Sequence, residues 1–452
     1  MTWSREDLYN HYKEFYIPNN SVLVIVGDVD STDALGLVKR HFGDIERGEM
    51  PREVTSVEPA QDGERRFTIE GSGNTSHIIM GFHQPSTADQ DIYAMYVLDA
   101  ILGGATGRER APRLKLALVE SGLCSSLYTY VGTNRDPSLF FIGATVAEGV
   151  SLQDVEGVIL AELERIMVEP IGAEELEKAK NQIMASLVYQ NESISGQAQH
   201  LGRYACIVDW RFGEELLANI HKVTAEQVTA LAQKVLSSSN MTVGWYQPTG
   251  EGEGMTTGAL DEPMSDPLSP QPFGTASWQG PDGSSAGIGE EAGGSIISEL
   301  SKLTQTSAHS FEFERRILAN GLTVLVKENH HTPSVTLVGS VSAGSLYEPK
   351  EKAGLASLTA QMLSLGNSKM DKLERFEALD FVGASLDFSG GVETITISGR
   401  CLSKDFTELA GMLFSAVETS AESGEGVVSQ PQLITYIITH APAQADIAEN
   451  FI

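Results

Sequence analysis

Residues 334–341, SVTLVGSV, followed by residues 354–365, GLASLTAQMLSL, decide the fold class. The first is a β-branched run of strand length. The second carries apolar residues at helical spacing, with Leu355, Leu358, Met362 and Leu363 as the expected core face. A second strand at 392–398 and a helix at 405–417 come next. Working outward, the amino-terminal block follows the same plan: a strand at 76–82, a helix ending at Leu102-Gly103, a strand at 139–146 and a helix at 154–167. In that last helix Val155, Val158, Ile159, Leu163, Ile166 and Met167 share one face, Asp154 is the expected cap, and Pro170 stops it. Another helix covers 173–189, with Glu174 and Glu175 in its first turn. Ahead of all these, residues 21–27 (SVLVIVG) read as a buried strand, and 33–41 as a helix closed by Phe42-Gly43. Strands and helices in one order, used twice, predict an α+β protein of two homologous domains, each a β-sheet covered by helices.

Between the blocks the composition changes. Residues 247–308 include TGEGEGM, SDPLSPQP and GPDGSSAGIGEEAGG, too poor in apolar surface to offset the entropy of ordering, and read as a flexible linker. The expected divisions are therefore a first domain at 1–246, the linker at 247–308, a partial domain at 309–422 and an aberrant tail at 423–452. Over 452 residues, 61 Asp and Glu face 31 Lys and Arg, a formal charge of −30. Such a surface disfavours nucleic acid and anionic membranes and favours basic peptides. Three cysteines, Cys124, Cys206 and Cys401, lie far apart, with no Cys-x-x-Cys pair for a thiolate metal site. No run approaches the roughly 18 apolar residues of a membrane span. No signal peptide is legible at the amino terminus, which leaves the compartment open, and cytoplasmic if the chain is complete.

Several segments together resemble the insulinase/pitrilysin family of zinc metallopeptidases, which includes the mitochondrial processing peptidases. Arg5-Glu-Asp-Leu, Tyr16-Ile-Pro-Asn-Asn20, residues 24–30 (VIVGDVD) and His41-Phe-Gly43 are similar to the start of that family's second, non-metal domain. Leu102-Gly-Gly104, Arg113-Leu114, residues 118–123 (LVESGL) and 174–181 (EELEKAKN) continue it. Past the linker, residues 320–324 (NGLTV), 341–345 (VSAGS) and 354–363 (GLASLTAQML) resemble the family's first domain. The family runs first domain then second; this chain runs second, linker, incomplete first. After Ala421 the resemblance ends, which reads as a change of reading frame near Gly424 or an unrelated tail.

What the resemblance implies about chemistry is specific. Peptide-cleaving members carry His-x-x-Glu-His on one helix, two imidazoles on one face for zinc and a carboxylate that polarises water. On the matching helix these positions hold Ser357, Ala360 and Gln361, and the downstream acidic ligand would fall in 433–440, LITYIITH, where there is no acid. No catalytic or metal-binding residue is expected in this chain, and zinc would sit in an active partner or in an upstream domain. His11, with Glu14 but no second histidine, His77 and His83, and the adjacent His330-His331 do not space a metal site. No nucleophile elbow is present, and Gly103-Gly104 follows a helix rather than a strand. Family halves that assist catalysis place an Arg and a Tyr near the substrate; the best match here holds Val119 and Ser125. Arg113, Tyr128 and Tyr130 lie nearby and are the candidate substrate-binding residues. The expected partners are a peptide or unfolded protein and a catalytic insulinase-type unit in cis or in trans. Two alternatives stand beside a non-catalytic segment: a structural member like the core subunits of a respiratory complex, and an active zinc metalloendopeptidase with unfamiliar ligands.

Overall fold

The computed structural model describes residues 4–51, 58–105, 111–250, 314–318, 322–349, 352–365, 370–420 and 433–439. Of the expected linker only 247–250, and of the expected tail only 433–439, fall among them. The chain divides into two compact units, one of Met1–Ala60, Ser193–Gly213 and Pro270–Phe311, the other of Gln61–Glu192, Glu214–Ser269 and Glu312–Ile452.

The described part of the first unit is helical. Helix α1 (Arg5–Phe15) opens with a capping box in which Ser4 and Asp7 satisfy each other's backbone N–H. Helix α2 (Ser31–Phe42) is capped by Asp30, which accepts from Thr32 and Asp33. A later helix, α7 (Ile194–Ile207), buries His200 and Tyr204. Residues 21–26, expected as a buried strand, are extended but join no sheet among the described residues, and Val22, Leu23 and Ile25 stay exposed. β-branched sequence sets an extended backbone; it does not supply the neighbour that would bury it.

In the second unit, β1 (Arg65–Gly71), β2 (His77–Gln84), β3 (Cys124–Val131), β4 (Ser138–Val146) and β5 (Met241–Pro248) form a sheet in the order β1-β5-β2-β4-β3. Strand β5 is parallel to β1 and antiparallel to β2. Strict alternation along β2 turns Ile78, Met80 and Phe82 to a buried face and His77, Ile79, Gly81 and His83 to the other. Helices α3 (Ile92–Leu102), α5 (Leu152–Val168), α6 (Ala173–Gln190), α8 (Phe212–Lys222) and α9 (Ala225–Val235) accompany this sheet, with the short turn α4 (Arg113–Lys115) before β3. Each large apolar side chain so buried contributes about 1.5–3 kcal/mol. On α5, Val155, Ile159, Leu163 and Ile166 of the expected face are buried, Val158 and Met167 are half-buried, and Leu152 joins the buried set. Its cap is Ser151 rather than Asp154: the Ser151 hydroxyl accepts from the Asp154 N–H at 3.1 Å, placing Asp154 inside the first turn.

The second sheet repeats this order with one extra edge strand. It comprises β6 (Glu314–Ile317), β7 (Thr323–Glu328), β8 (Ser334–Val341), β9 (Ser385–Gly390), β10 (Ile395–Leu402) and β11 (Leu433–Thr439), ordered β6-β7-β11-β8-β10-β9. Like β5, β11 enters between the strands before it, parallel to β7 and antiparallel to β8. Helices α10 (Leu355–Ser364), α11 (Lys372–Val382) and α12 (Phe406–Ser420) pack around a core that includes Val335, Leu337, Ile397, Leu409 and Leu413.

Helix α10 is turned relative to expectation. Ala356 and Ala360 are its buried residues and Leu363 is half-buried, while Leu355, Leu358 and Met362 face solvent. The reason is close approach: a Cβ on Gly390 of β9 would lie 2.9 Å from the Ser357 backbone nitrogen. Only small side chains let the helix settle that near the strand.

The two sheets are joined through α6 and α11. Asn181 Nδ2 donates to the Phe381 carbonyl at 3.1 Å, Tyr189 Oη to that of Gly383 at 3.0 Å, and the Ala111 N–H to the buried Asp380 carboxylate at 2.8 Å. Gly383, at φ +64°, lets the chain pass where a Cβ would be 2.6 Å from that of Ala185. Arg400 pairs with Glu192 and stands 4.1 Å over the Tyr189 ring.

Candidate functional site

The face of the first sheet opposite its buried side chains is the most chemically distinctive surface among the described residues. Register fixes its membership: Phe67 sits across from Gly244, Ile79 from Gly244 and Gly143, and Tyr128 from Gly143, with Tyr130 across from Phe141. Glycines alternate with rings for a steric reason. A Cβ on Gly143 would lie 2.2 Å from Tyr128 Cζ, and one on Gly244 would lie 2.5 Å from Phe67 Cζ. The rings therefore lie over neighbouring backbone. Phe67 and Ile69 are exposed, and Ile79, Tyr128, Tyr130, Phe141 and Tyr246 are half-buried. Tyr246 Oη donates to the Ser72 carbonyl at 2.6 Å, and its ring lies 5.9 Å from that of His77. Burial holds the Tyr128 phenol above its ordinary value, so it stays protonated and able to donate.

Strand β3 forms the edge of this sheet, and on its outer side no strand pairs with it among the described residues. Its backbone N–H and C=O groups are positioned to accept an extended chain, and the bulge between Cys124 and Ser126 twists one end away. Tyr128 and Tyr130 stand on this edge strand. Arg113 does not join them: its guanidinium makes two 2.7 Å hydrogen bonds to Glu175 of α6, in the helical layer. That pairing outweighs burial and keeps the arginine firmly charged. Val119 lies in a π turn after α4, and the Ser125 hydroxyl donates to Thr145 O at 3.4 Å.

A second place of interest is α10 beside β9, the corresponding edge of the second sheet. Ser357 and Gln361 are exposed there, while Ala360 is turned into the core at 1% exposure. A hydroxyl, a methyl and an amide do not fit zinc, which takes imidazole, thiolate or carboxylate, and a core-facing methyl cannot activate water. Among the described residues no three His, Cys, Asp or Glu side chains are gathered to hold a metal ion. His77 reaches Thr145 Oγ1 at 3.3 Å and His83 reaches Asn240 Oδ1 at 2.9 Å, six residues and roughly 20 Å apart along one strand. His330 is in the turn after β7, 3.4 Å from Glu328, and His11 stacks at 4.6 Å on Phe15 of α1.

Phe67, Phe141 and Tyr246 belong to the same surface and were not singled out from sequence. No clean alternation marks them: Phe67 lies between Arg66 and Thr68, and Tyr246 between Trp245 and Gln247. Pairing order, which brings them together, is not local. Burial pushes the Cys124 thiol up to about 11 and that of Cys401 up to about 12, which keeps both protonated at neutral pH.

The profile of the Peptidase M16 inactive domain matches residues 2–183, and that of Insulinase (Peptidase family M16) matches residues 323–421. The chain belongs to the insulinase, or M16, peptidase family. It is 23% identical over 251 residues to the uncharacterized zinc protease YmxG of Bacillus subtilis, covering 55% of this chain and 59% of that protein. To the zinc protease PqqE of Helicobacter pylori it is 26% identical over 202 residues, covering 44% and 45%. The fold is similar to that of a protease from Helicobacter pylori, with a TM-score of 0.51, 23% identity, and coverage of 55% of this chain and 60% of that one. The chain thus spans about half the length of the curated relatives it matches. No helix among the described residues is long and apolar enough to cross a membrane.

Proposed function

We propose that this chain is a non-catalytic segment or subunit of an insulinase-family zinc metallopeptidase, forming one wall of a peptide-binding chamber that an active, zinc-bearing unit completes. The observation that carries the reading is the aromatic, glycine-floored sheet face bordered by the edge strand β3. Such a surface takes an extended peptide by strand addition, reading its backbone, while Tyr128 and Tyr130 contact alternate side chains. Arg113, committed to Glu175, enters only by fixing α4 against α6. The charge of −30 attracts basic peptides. Ser357, Ala360 and Gln361 leave hydrolysis to the partner, whether in the same polypeptide or another.

The test is binding of a fluorescein-labelled basic peptide to the full chain, followed by anisotropy, alongside the zinc content of the purified protein. Tyr128→Ala with Tyr130→Ala is expected to weaken binding about tenfold or more, given about 1 kcal/mol for each well-placed ring. Unchanged binding in that variant would remove the sheet face from the reading. Stoichiometric, chelator-sensitive zinc together with peptide hydrolysis by the chain alone would overturn the non-catalytic assignment.

A further inference from the structure

The two sheets differ at one edge. In the second sheet β7 has β11 parallel on one side and β6 antiparallel on the other. In the first sheet the counterpart of β7 is β1, with β5 parallel on one side. On the other side of β1 no strand pairs among the described residues. The place that β6 fills in one sheet is therefore open in its twin.

Strand β1 is suited to a neighbour there. Its seven residues, Arg65–Gly71, follow β5 in unbroken register, without the bulge that twists the opposite edge, β3. The Gly71 carbonyl accepts from the Thr249 N–H at 2.8 Å and so points to the β5 side. Backbone groups alternate along a strand, so those of Arg66, Thr68 and Glu70 point outward from the edge. Residues 65–70 are all exposed, Phe67 at 49% and Ile69 at 54%.

The order of side chains indicates what the neighbour is. Set antiparallel to itself with Thr68 opposite Thr68, the segment RRFTIEG places Arg66 opposite Glu70 and Phe67 opposite Ile69, each pair occurring twice by symmetry. Apolar pairs then lie on one face and unlike charges on the other. Centring on Phe67 instead would set Glu64 against Glu70 and Arg65 against Ile69. Centring on Ile69 would leave Arg66 opposite Ser72 and Phe67 opposite Gly71. Charges on an edge strand ordinarily keep other strands away. Here their order suits one partner, the same strand. The Arg66 guanidinium gives three of its five N–H groups to Glu64 and Glu156, which leaves two for a further carboxylate.

We propose that two copies of this chain join through β1, antiparallel and centred on Thr68. Each β1 takes on the other the place that β6 takes on β7. The backbone groups of Arg66, Thr68 and Glu70 exchange hydrogen bonds with those of Glu70, Thr68 and Arg66 of the second copy. The contact is isologous and closes at two. Residues opposite one another share a face, so the exposed aromatic face of one copy runs on into that of the other. An open strand edge and two exposed apolar side chains are the liabilities that this union removes together.

The experiment is sedimentation velocity on the full chain across a concentration series reaching about 0.1 mM. A reversible dimer is expected. Thr68→Pro deletes the central outward donor without touching the bonds to β5, and should weaken dimerisation about tenfold or more with far-UV circular dichroism unchanged. Glu70→Arg keeps every backbone donor and sets like charges opposite each other, and should weaken it about fivefold or more. Register is read by cross-linking in a Cys206→Ser background, which removes the exposed native thiol. Thr68→Cys brings two thiols within disulfide reach across the two-fold axis, and mild oxidation should give a covalent dimer. Glu70→Cys sets them roughly 13 Å apart and should not. A native chain that stays monomeric throughout overturns the proposal, as does a dimer that Glu70→Arg leaves as tight as before. Cross-linking as fast through position 70 as through position 68 overturns the register. None of these readouts involves peptide binding or zinc, so they stand apart from the test of the chamber wall.

Discussion

Helices α3 and α10 hold the same place in the two sheets and have opposite fates. All 11 residues of α3 are buried, whereas α10 buries only Ala356 and Ala360. Helix α3 is apolar over nearly its whole circumference, whereas α10 carries Ser357, Thr359, Gln361 and Ser364 beside its apolar stripe. The second layer differs as well: α3 lies between its sheet and the helices α6 and α9, and α10 has no such cover among the described residues. The comparison teaches that complete burial of a helix belongs to the layer above it as much as to the helix.

The largest test of that contrast is substitution in each region. Phe140→Ala, at a fully buried position of the first sheet, should cost about 3–5 kcal/mol in urea unfolding, whereas Leu358→Ala on α10 should stay within about 0.5 kcal/mol. Equal costs would mean that α10 is covered after all. A smaller effect lies at the join of the two sheets. Gly383→Ala forces a Cβ into the left-handed region and against Ala185, and should cost about 1–2 kcal/mol from the backbone alone. Limited proteolysis should then release the second sheet first; a variant as resistant as the native chain would show that the two sheets do not depend on this crossing.

Cysteine labelling sharpens the comparison without any mutation. Cys124 and Cys401 are both buried, Cys206 is exposed, and only Cys206 should react with iodoacetamide at neutral pH. As urea is raised below the main transition, Cys401 of the thinly covered sheet should become reactive before Cys124. The reverse order would show that the missing layer does not weaken that sheet. The smallest effect concerns the other unit, where burial, and secondarily Arg203, hold the His200 imidazole below its ordinary value. The unfolded chain then binds the proton more readily, so the contribution is intact above the ordinary value of 6.5 and is lost as pH falls below it. His200→Phe should flatten that slope in pH-dependent unfolding; an unchanged slope would assign it to other groups.

Much of the fold was legible because its signals are local. Alternation and β-branching placed strands within a residue or two at 334–341, 139–146 and 76–82, and the spacing on α5 named its buried face. Residues 21–27 and the stripe on α10 went astray for one reason: both were apolar, and apolarity was equated with burial. Tyr128 and Tyr130 were named from sequence as candidate substrate contacts by proximity to a family segment, and the surface they share with Phe67, Phe141 and Tyr246 depends on strand order. Arg113 was named a candidate substrate contact by the same proximity, and its pairing with Glu175, distant in sequence, came only with the structure.

By itself, the sequence determined most of the strands and helices read from it, their repeated order, the strongly acidic balance of charge, and the presence of Ser357, Ala360 and Gln361 on one helix. These depend on residue identity and on spacings of two or three to four along the chain. Only the tertiary structure decided that β5 and β11 slip between earlier strands, that Ala360 faces the core while Leu358 does not, and that the aromatic face is assembled from five separate strands. Those outcomes depend on which distant segment arrives as a neighbour, and a one-dimensional pattern carries no record of its partner.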